Sequence, residues 1–130
     1  MIYWEEPHLV IHWDDEVKCV QMEWKGFSYG ELFRTGLNKG LQLVIERKTH
    51  RWLADLRKLG IVNQEDQNWS NNDWFPRALL GGVRRMAIVV PTSELAKMSV
   101  DAIMSKVDSL QLEIAYFDDV AKAKEWVSIG

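Results

Sequence analysis

The spacing of hydrophobic and polar residues predicts a β-hairpin near the start of the chain. Residues 8–13 and 17–24 are rich in Val, Ile and aromatic side chains, which is typical of strands. Asp14, Asp15 and Glu16 lie between these runs and favour a turn. No further oxygen ligands follow at calcium-loop spacing, so we interpret the three acids as a solvated turn.

A helix is predicted directly after the hairpin. Ser28 and Glu31 have the spacing of a capping box, and Phe27 and Leu32 have that of a hydrophobic staple. Apolar residues then recur at helical spacing up to about Arg47. That apolar face contains Tyr29, Phe33, Gly36, Leu37, Gly40, Leu41 and Val44. Because each helical glycine costs about 1 kcal/mol relative to alanine, we expect a sheet or another helix to approach closely at these glycines.

The second half of the chain alternates short apolar runs with helical patterns. Residues 51–56 and 86–90 read as buried strands, and residues 112–117 alternate as a last strand. We expect a polar loop over residues 63–73, followed by a short helix over residues 74–80.

Two more helices are predicted after the last two strands. Ser93 leads into one of them, and Asp118 caps the other. Their apolar stripes are Leu95, Ala102, Ile103, Val107 and Leu110 in the first, and Val120, Ala123, Trp126 and Val127 in the second. This order predicts one α/β domain over residues 1–130, with an N-terminal hairpin and a mixed, mainly parallel sheet.

Composition is that of one ordinary globular domain, with 47% hydrophobic and 27% charged residues among 130. The single cysteine, Cys19, excludes a disulfide framework and is interpreted as a small buried hydrophobe in a reducing compartment. The first residues are acidic rather than basic, and no apolar run is long enough to span a bilayer. We therefore expect a cytoplasmic protein without a transmembrane segment.

Charge is unevenly distributed along the chain. The net charge of -3 argues against a general nucleic-acid binder. Residues 34–85 nevertheless contain ten Lys/Arg and five Asp/Glu, whereas the remaining residues contain six and fourteen. This imbalance indicates either two ordinary solvated faces or a site for an acidic or phosphorylated partner.

Several motifs for catalysis and cofactor binding are missing from the sequence. It contains no HExxH, GxxxxGK[ST] or GxGxxG pattern, so we expect neither an enzyme nor a cofactor. His8 and His12 share one face of a predicted strand but have no clear third ligand, which makes a metal site a poor interpretation.

Two groups of residues are candidates for a binding site. Asp55 lies at the predicted carboxyl end of a parallel strand, where open α/β sheets bind ligands; alternatively it caps a loop or pairs with Arg57 or Lys58. Trp69 and Trp74 flank a polar segment and could line a groove, anchor a partner or cover the core. Trp13, Trp24 and Trp52 are predicted core residues.

Three local sequences, in this order of elements, resemble the SpoIIAA-like proteins, the STAS domains typified by bacterial anti-sigma-factor antagonists. They are Leu53–Leu56, Ala87–Pro91 and Ala121–Val127, and the resemblance spans roughly residues 8–127. It implies a cytoplasmic regulatory module that binds a kinase-like partner and is switched by phosphorylation at a helix start. The family's D-[ST]-S-G motif is missing here, and Ser70 is the first hydroxyl residue in the equivalent segment.

Our leading hypothesis is a non-catalytic regulatory or protein-interaction domain. Its expected contact site contains Asp55, Arg57, Lys58, Trp69 and Trp74, with Ser70 as a possible phosphorylation site. The alternative is a small-ligand or lipid-binding module of SEC14-like character, because aromatic residues are abundant and Gly36 and Gly40 could leave room beside the first helix. A homodimer is also plausible, since symmetric pairing is the commonest soluble assembly.

Overall fold

A six-stranded mixed sheet forms the centre of the molecule, for which a computed structural model describes residues 1–130. The strands are β1 Ile2–Glu6, β2 Leu9–Asp14, β3 Cys19–Gly26, β4 Arg51–Leu59, β5 Arg85–Val89 and β6 Glu113–Phe117. They lie side by side in chain order; β1, β2 and β3 are antiparallel, and β3 to β6 are parallel. The predicted α/β class, hairpin and mainly parallel sheet are confirmed.

Five α-helices accompany the sheet. They are α1 Glu31–Arg47, α2 Gln64–Trp69, α3 Phe75–Gly81, α4 Glu94–Met104 and α5 Val120–Val127, and a π-helical segment, Ser70–Trp74, joins α2 to α3. A core of 25 buried residues lies on the face of the sheet that packs against α1 to α4, whereas α5 covers a smaller cluster of six on the other face. The tryptophans predicted for the core, Trp13, Trp24 and Trp52, are all buried.

Strand β1 was not predicted from the sequence. It pairs with β2 at the edge of the sheet, with a register irregularity between Ile2 and Trp4. Trp4 packs against the larger core, and the Tyr3 hydroxyl donates a hydrogen bond to Glu46 of α1. These long-range contacts stabilise the strand. The five residues of β1 do not reveal them, so the local sequence did not predict the strand.

The start of α1 differs from the predicted capping box. Gly30 is the N-cap residue and has no side-chain cap, while the buried Ser28 hydroxyl has no hydrogen-bond partner. Phe27 and Leu32, the predicted staple, are both exposed. The buried carboxylate of Asp66 instead accepts a hydrogen bond from the Gly30 amide at 2.9 Å, so the free end of α1 is satisfied from another element.

The predicted close approach at the α1 glycines is confirmed. A Cβ atom at Gly36 would lie 2.6 Å from Leu9 Cδ2, and one at Gly40 would lie 2.5 Å from the Trp52 ring. Both distances are too short for real contacts, so α1 rests directly on the side chains of the sheet.

Residues 63–73 form helical structure, so the predicted polar loop is wrong. The Asn63 side chain caps α2 by accepting from the Asp66 amide at 2.8 Å. The polar residues that suggested a loop make tertiary contacts instead: Asp66 is buried, and the Asn71 side chain donates to the Ile103 carbonyl.

The last two helices follow the prediction except at their ends. Ser93 caps α4 as predicted, but α4 ends at Met104, and Leu95 and Leu110 are exposed rather than buried. Asp119, not Asp118, caps α5 by accepting from the Ala121 and Lys122 amides.

Candidate functional site

Asp55 is buried within β4, which continues beyond it to Leu59. The pairing of β4 with β5 ends at Asp55 opposite Val89. The Asp55 carboxylate accepts two hydrogen bonds from the Arg57 guanidinium, at 2.8 and 2.9 Å. This contact raises the pKa of Arg57, and it corresponds to the pairing alternative considered for Asp55.

Trp69, Ser70 and Trp74 belong to the helical segment after β4 rather than to a loop. Trp74 is buried, and its indole N–H donates to the Leu37 carbonyl at 3.0 Å. Trp69 is half-buried beneath the guanidinium groups of Arg34 and Arg77. Ser70 is buried where α2 continues into the π-helical segment, and its hydroxyl donates to the Asp66 carbonyl, so it does not lie at a free helix N-terminus.

The predicted contact residues do not form one surface. Successive side chains of a strand point to opposite faces. Leu53 belongs to the cluster under α5, which places Asp55 on that face, whereas Trp74 packs against Trp52 on the other face with ring centroids 5.0 Å apart. Arg57 and Lys58 are exposed near the end of β4.

Six exposed apolar side chains surround the edge of the sheet at which the parallel strands end. We name this group the carboxyl-edge patch: Phe27, Tyr29, Leu32, Ile61, Leu95 and Met98. They follow β3, β4 and β5, and each is between 42% and 64% exposed. Exposed apolar groups bordered by polar residues mark interaction sites.

Hydrogen bonds between neighbouring segments hold this edge together. The Gly60 amide donates to the Gly26 carbonyl at 2.8 Å, which joins the ends of β3 and β4. The Val62 amide donates to Ser99 Oγ of α4 at 3.0 Å, and the Phe27 and Tyr29 rings lie 5.2 Å apart. The patch therefore has a defined backbone frame.

The patch was missed because its residues suggested other roles. Phe27, Leu32 and Leu95 fit a helix staple and helix stripes, which are patterns of buried residues. The position of each residue directly after a predicted parallel strand was the available signal. Exposure itself depends on how far each helix lies over the sheet, which a periodic pattern does not specify.

An apolar cavity of about 80 Å³ lies inside the larger core, between the sheet and the helices. Ser70 is the single polar residue among the sixteen that line it; the others include Trp24, Trp52, Trp74 and Phe75. The volume is below the roughly 150 Å³ of a dry engineered cavity that binds benzene. The cavity fits a short apolar segment.

The structure brings no set of metal-binding side chains together. No group of three or more His, Cys, Asp or Glu side chains could hold a metal ion. His12 Nε2 lies 3.1 Å from Glu23, not beside His8. Cys19 is buried as predicted, and burial raises the pKa of its thiol to about 12.

Comparison with protein families matches residues 19–128 to the SpoIIAA-like family. No curated protein and no solved structure matches the chain. None of its helices combines the length and apolar character needed to cross a bilayer. The match covers β3 to α5, including the whole parallel part of the sheet. The chain belongs to the SpoIIAA-like family.

Proposed function

We propose that the chain is a non-catalytic regulatory module, similar to anti-sigma-factor antagonists, that binds a protein partner through the carboxyl-edge patch. One observation carries this proposal: six exposed apolar side chains lie on segments that hydrogen bonds hold at one edge of the sheet. Interfaces combine an apolar centre with a polar rim. Lys58 and Arg57 lie at this end of β4 and supply a basic rim suited to an acidic partner surface.

The family membership supports a regulatory role, and a kinase-like partner in the cytoplasm belongs to this proposal. Phosphorylation of Ser70 requires the segment to open, because its hydroxyl is buried and hydrogen-bonded. Trp69 and Trp74 support the fold around that serine rather than the partner surface.

The proposal is tested by capturing partners from the source cells with the wild type and with matched leucine variants. Leu95→Asp places a charge in the patch, whereas Leu110→Asp changes another exposed leucine, which lies before β6 at the opposite edge. We expect Leu95→Asp to lower the yield of a specific polypeptide by roughly tenfold, as at an interface hot spot. Leu110→Asp should retain it, and melting temperatures should be equal.

Lys58→Glu tests the basic rim in the same experiment. Lys58 is exposed and makes no ion pair, so its reversal should weaken capture without changing stability. Arg57→Glu is unsuitable, because it would leave the buried Asp55 carboxylate unpaired. Equal yields from Leu95→Asp, Lys58→Glu and Leu110→Asp would contradict the proposal, and a retained second copy of the chain would identify a homodimer instead of a different partner.

A second function, binding of a small apolar ligand, is favoured by the interior cavity. Ala54 lines it, so Ala54→Leu should fill it. Straight-chain alcohols from butanol to decanol should raise the melting temperature of the wild type and alter its tryptophan emission, because Trp24, Trp52 and Trp74 line the cavity. They should have no effect on a folded Ala54→Leu variant. No response of the wild type across the series would exclude this function.

A further inference from the structure

A second concave surface lies at the other end of the sheet, before the parallel strands begin. This amino-edge groove has a volume of about 550 Å³ and runs between α3 and the segment that joins α4 to β6. Arg84 directly precedes β5, and Lys106 follows α4. The volume lies within the range of small-molecule sites.

Apolar side chains in and beside the groove are uncovered. Leu80 is 88% exposed at the end of α3, and Leu110 is 94% exposed nearby in sequence to the lining residues Asp108 and Gln111. Phe75 is nearly buried and lines both this groove and the interior cavity, so its ring lies between the two spaces. Nothing in the chain itself covers these apolar side chains.

The groove also carries two cations without acidic partners. Arg84 Nη1 donates to the Leu79 and Val83 carbonyls, at 2.6 and 2.8 Å, which fixes the guanidinium. Its Nε and Nη2 atoms have no hydrogen-bond partner, and neither Arg84 nor Lys106 makes an ion pair. A guanidinium held in this way presents its free edge to a carboxylate or phosphate.

The acid in the groove does not neutralise these cations. The carboxylate of Asp108 accepts hydrogen bonds from the Leu110 amide at 2.9 Å and from the Gln111 side chain at 3.2 Å. Each of its two oxygens therefore accepts one hydrogen bond within its own turn, and its single negative charge is opposed by the two cations. The groove retains an excess of positive charge beside an apolar wall.

We propose that the amino-edge groove binds a small amphipathic anion, a carboxylate or phosphate monoester that carries an apolar chain. The anionic oxygens contact the free edge of Arg84 and the Lys106 ammonium, and the chain packs on Phe75 and Leu80. A neutral apolar ligand would leave both cations unmatched, and an inorganic anion would leave Leu80 uncovered. The proposal is independent of the partner surface, which lies at the opposite edge.

The test is a titration of the full chain with octanoate and octyl phosphate, below their micelle concentrations, followed by calorimetry and by NMR shifts of Leu80 and Val107 methyl groups. Octyl glucoside supplies the same chain without charge, and inorganic phosphate supplies the charge without a chain. We expect both octyl anions to bind at least tenfold more tightly than either control, since one charge-assisted contact accounts for about that factor.

Two lysine variants locate the site. Lys106→Glu should weaken octanoate binding by roughly tenfold, whereas Lys97→Glu, an exposed lysine on α4 outside the groove, should leave it unchanged. The proposal would be overturned if octyl glucoside bound as tightly as octanoate, or if inorganic phosphate bound as tightly as octyl phosphate. It would also be overturned if the two lysine variants lost the same affinity for octanoate, or if neither octyl anion bound at millimolar concentration. Binding to vesicles of anionic phospholipid but not to free octyl anions would also overturn it, because it would indicate a membrane surface.

Discussion

Asp66 connects two elements that are distant in sequence. Its carboxylate accepts from the Gly30 amide at the start of α1 and from Arg34 Nε one turn later, at 2.9 and 3.2 Å. Its own amide is capped by Asn63. A carboxylate near a helix N-terminus also interacts favourably with the helix dipole. One buried acid therefore fixes where α1 begins and where α2 packs.

Replacement of Asp66 by Ala should lower the free energy of unfolding by about 1–3 kcal/mol, because the Gly30 amide loses its acceptor. Ser28→Ala should change it by less than about 0.5 kcal/mol, because the Ser28 hydroxyl makes no hydrogen bond. Urea unfolding of the two variants measures both values. If Ser28→Ala lowered the free energy of unfolding as much as Asp66→Ala, the result would favour the capping box predicted from the sequence.

Residue-level patterns predicted some contacts between residues close in sequence and none between distant ones. Ser93 accepts from an amide three residues later, and the motif predicts it. The pairing of Asp55 with Arg57, two residues away, was likewise among the sequence-based alternatives. Asp66 bonds across 36 residues, and no local pattern contains that information.

Helix α1 packs on the sheet through its glycines. Gly36 faces Leu9 and Trp24, and Gly40 faces Met22 and Trp52. Trp52 in turn packs against Trp74, so its ring has little room to move. The intrinsic helix propensity lost at each glycine is offset by the apolar surface that the close approach buries.

Gly40→Ala should destabilise the protein by roughly 1–3 kcal/mol, although alanine is the better helix former, because the added methyl group overpacks the core. Gln42→Ala, on the exposed side of the same helix, serves as the control and should be close to neutral. Thermal unfolding of both variants shows whether each substitution stabilises or destabilises the protein. A Gly40→Ala variant more stable than the wild type would contradict the close packing of α1.

Most elements with strong apolar runs were predicted to within a residue or two, although β4 extends three residues beyond its predicted end to Leu59. Elements made by tertiary contacts were not predicted. Strand β5 lies at Arg85–Val89 against the predicted residues 86–90. A parallel strand buried on both faces has a nearly continuous apolar run, here residues 86–89, and that run is recognisable in the sequence. Helix α2 is polar in composition and was interpreted as a loop. Its stability comes from Asn63 at its start and from the buried Asp66.

At the scale of the whole molecule, the alternation of elements predicted the α/β class and the parallel half of the sheet. The candidate site was less predictable, because it depends on which face each side chain occupies and on what the helices leave uncovered. Asp55 and Trp74 were predicted to share one contact site but lie on opposite faces of the sheet. The exposed residues of the carboxyl-edge patch and of the amino-edge groove became identifiable only when the sheet edges were defined.

The tryptophan pair in the cavity wall gives the protein an internal optical reporter. The rings of Trp52 and Trp74 lie 5.0 Å apart at an interplanar angle of 64°. Two indole rings at that separation couple electronically, and we expect the fixed, oblique pair to contribute an exciton couplet to the circular dichroism spectrum. The other five tryptophans also contribute to the fluorescence of the protein. The couplet, by contrast, comes from this one pair. A spectrum recorded without any added label therefore reports whether α1, the π-helical segment and β4 keep their native arrangement.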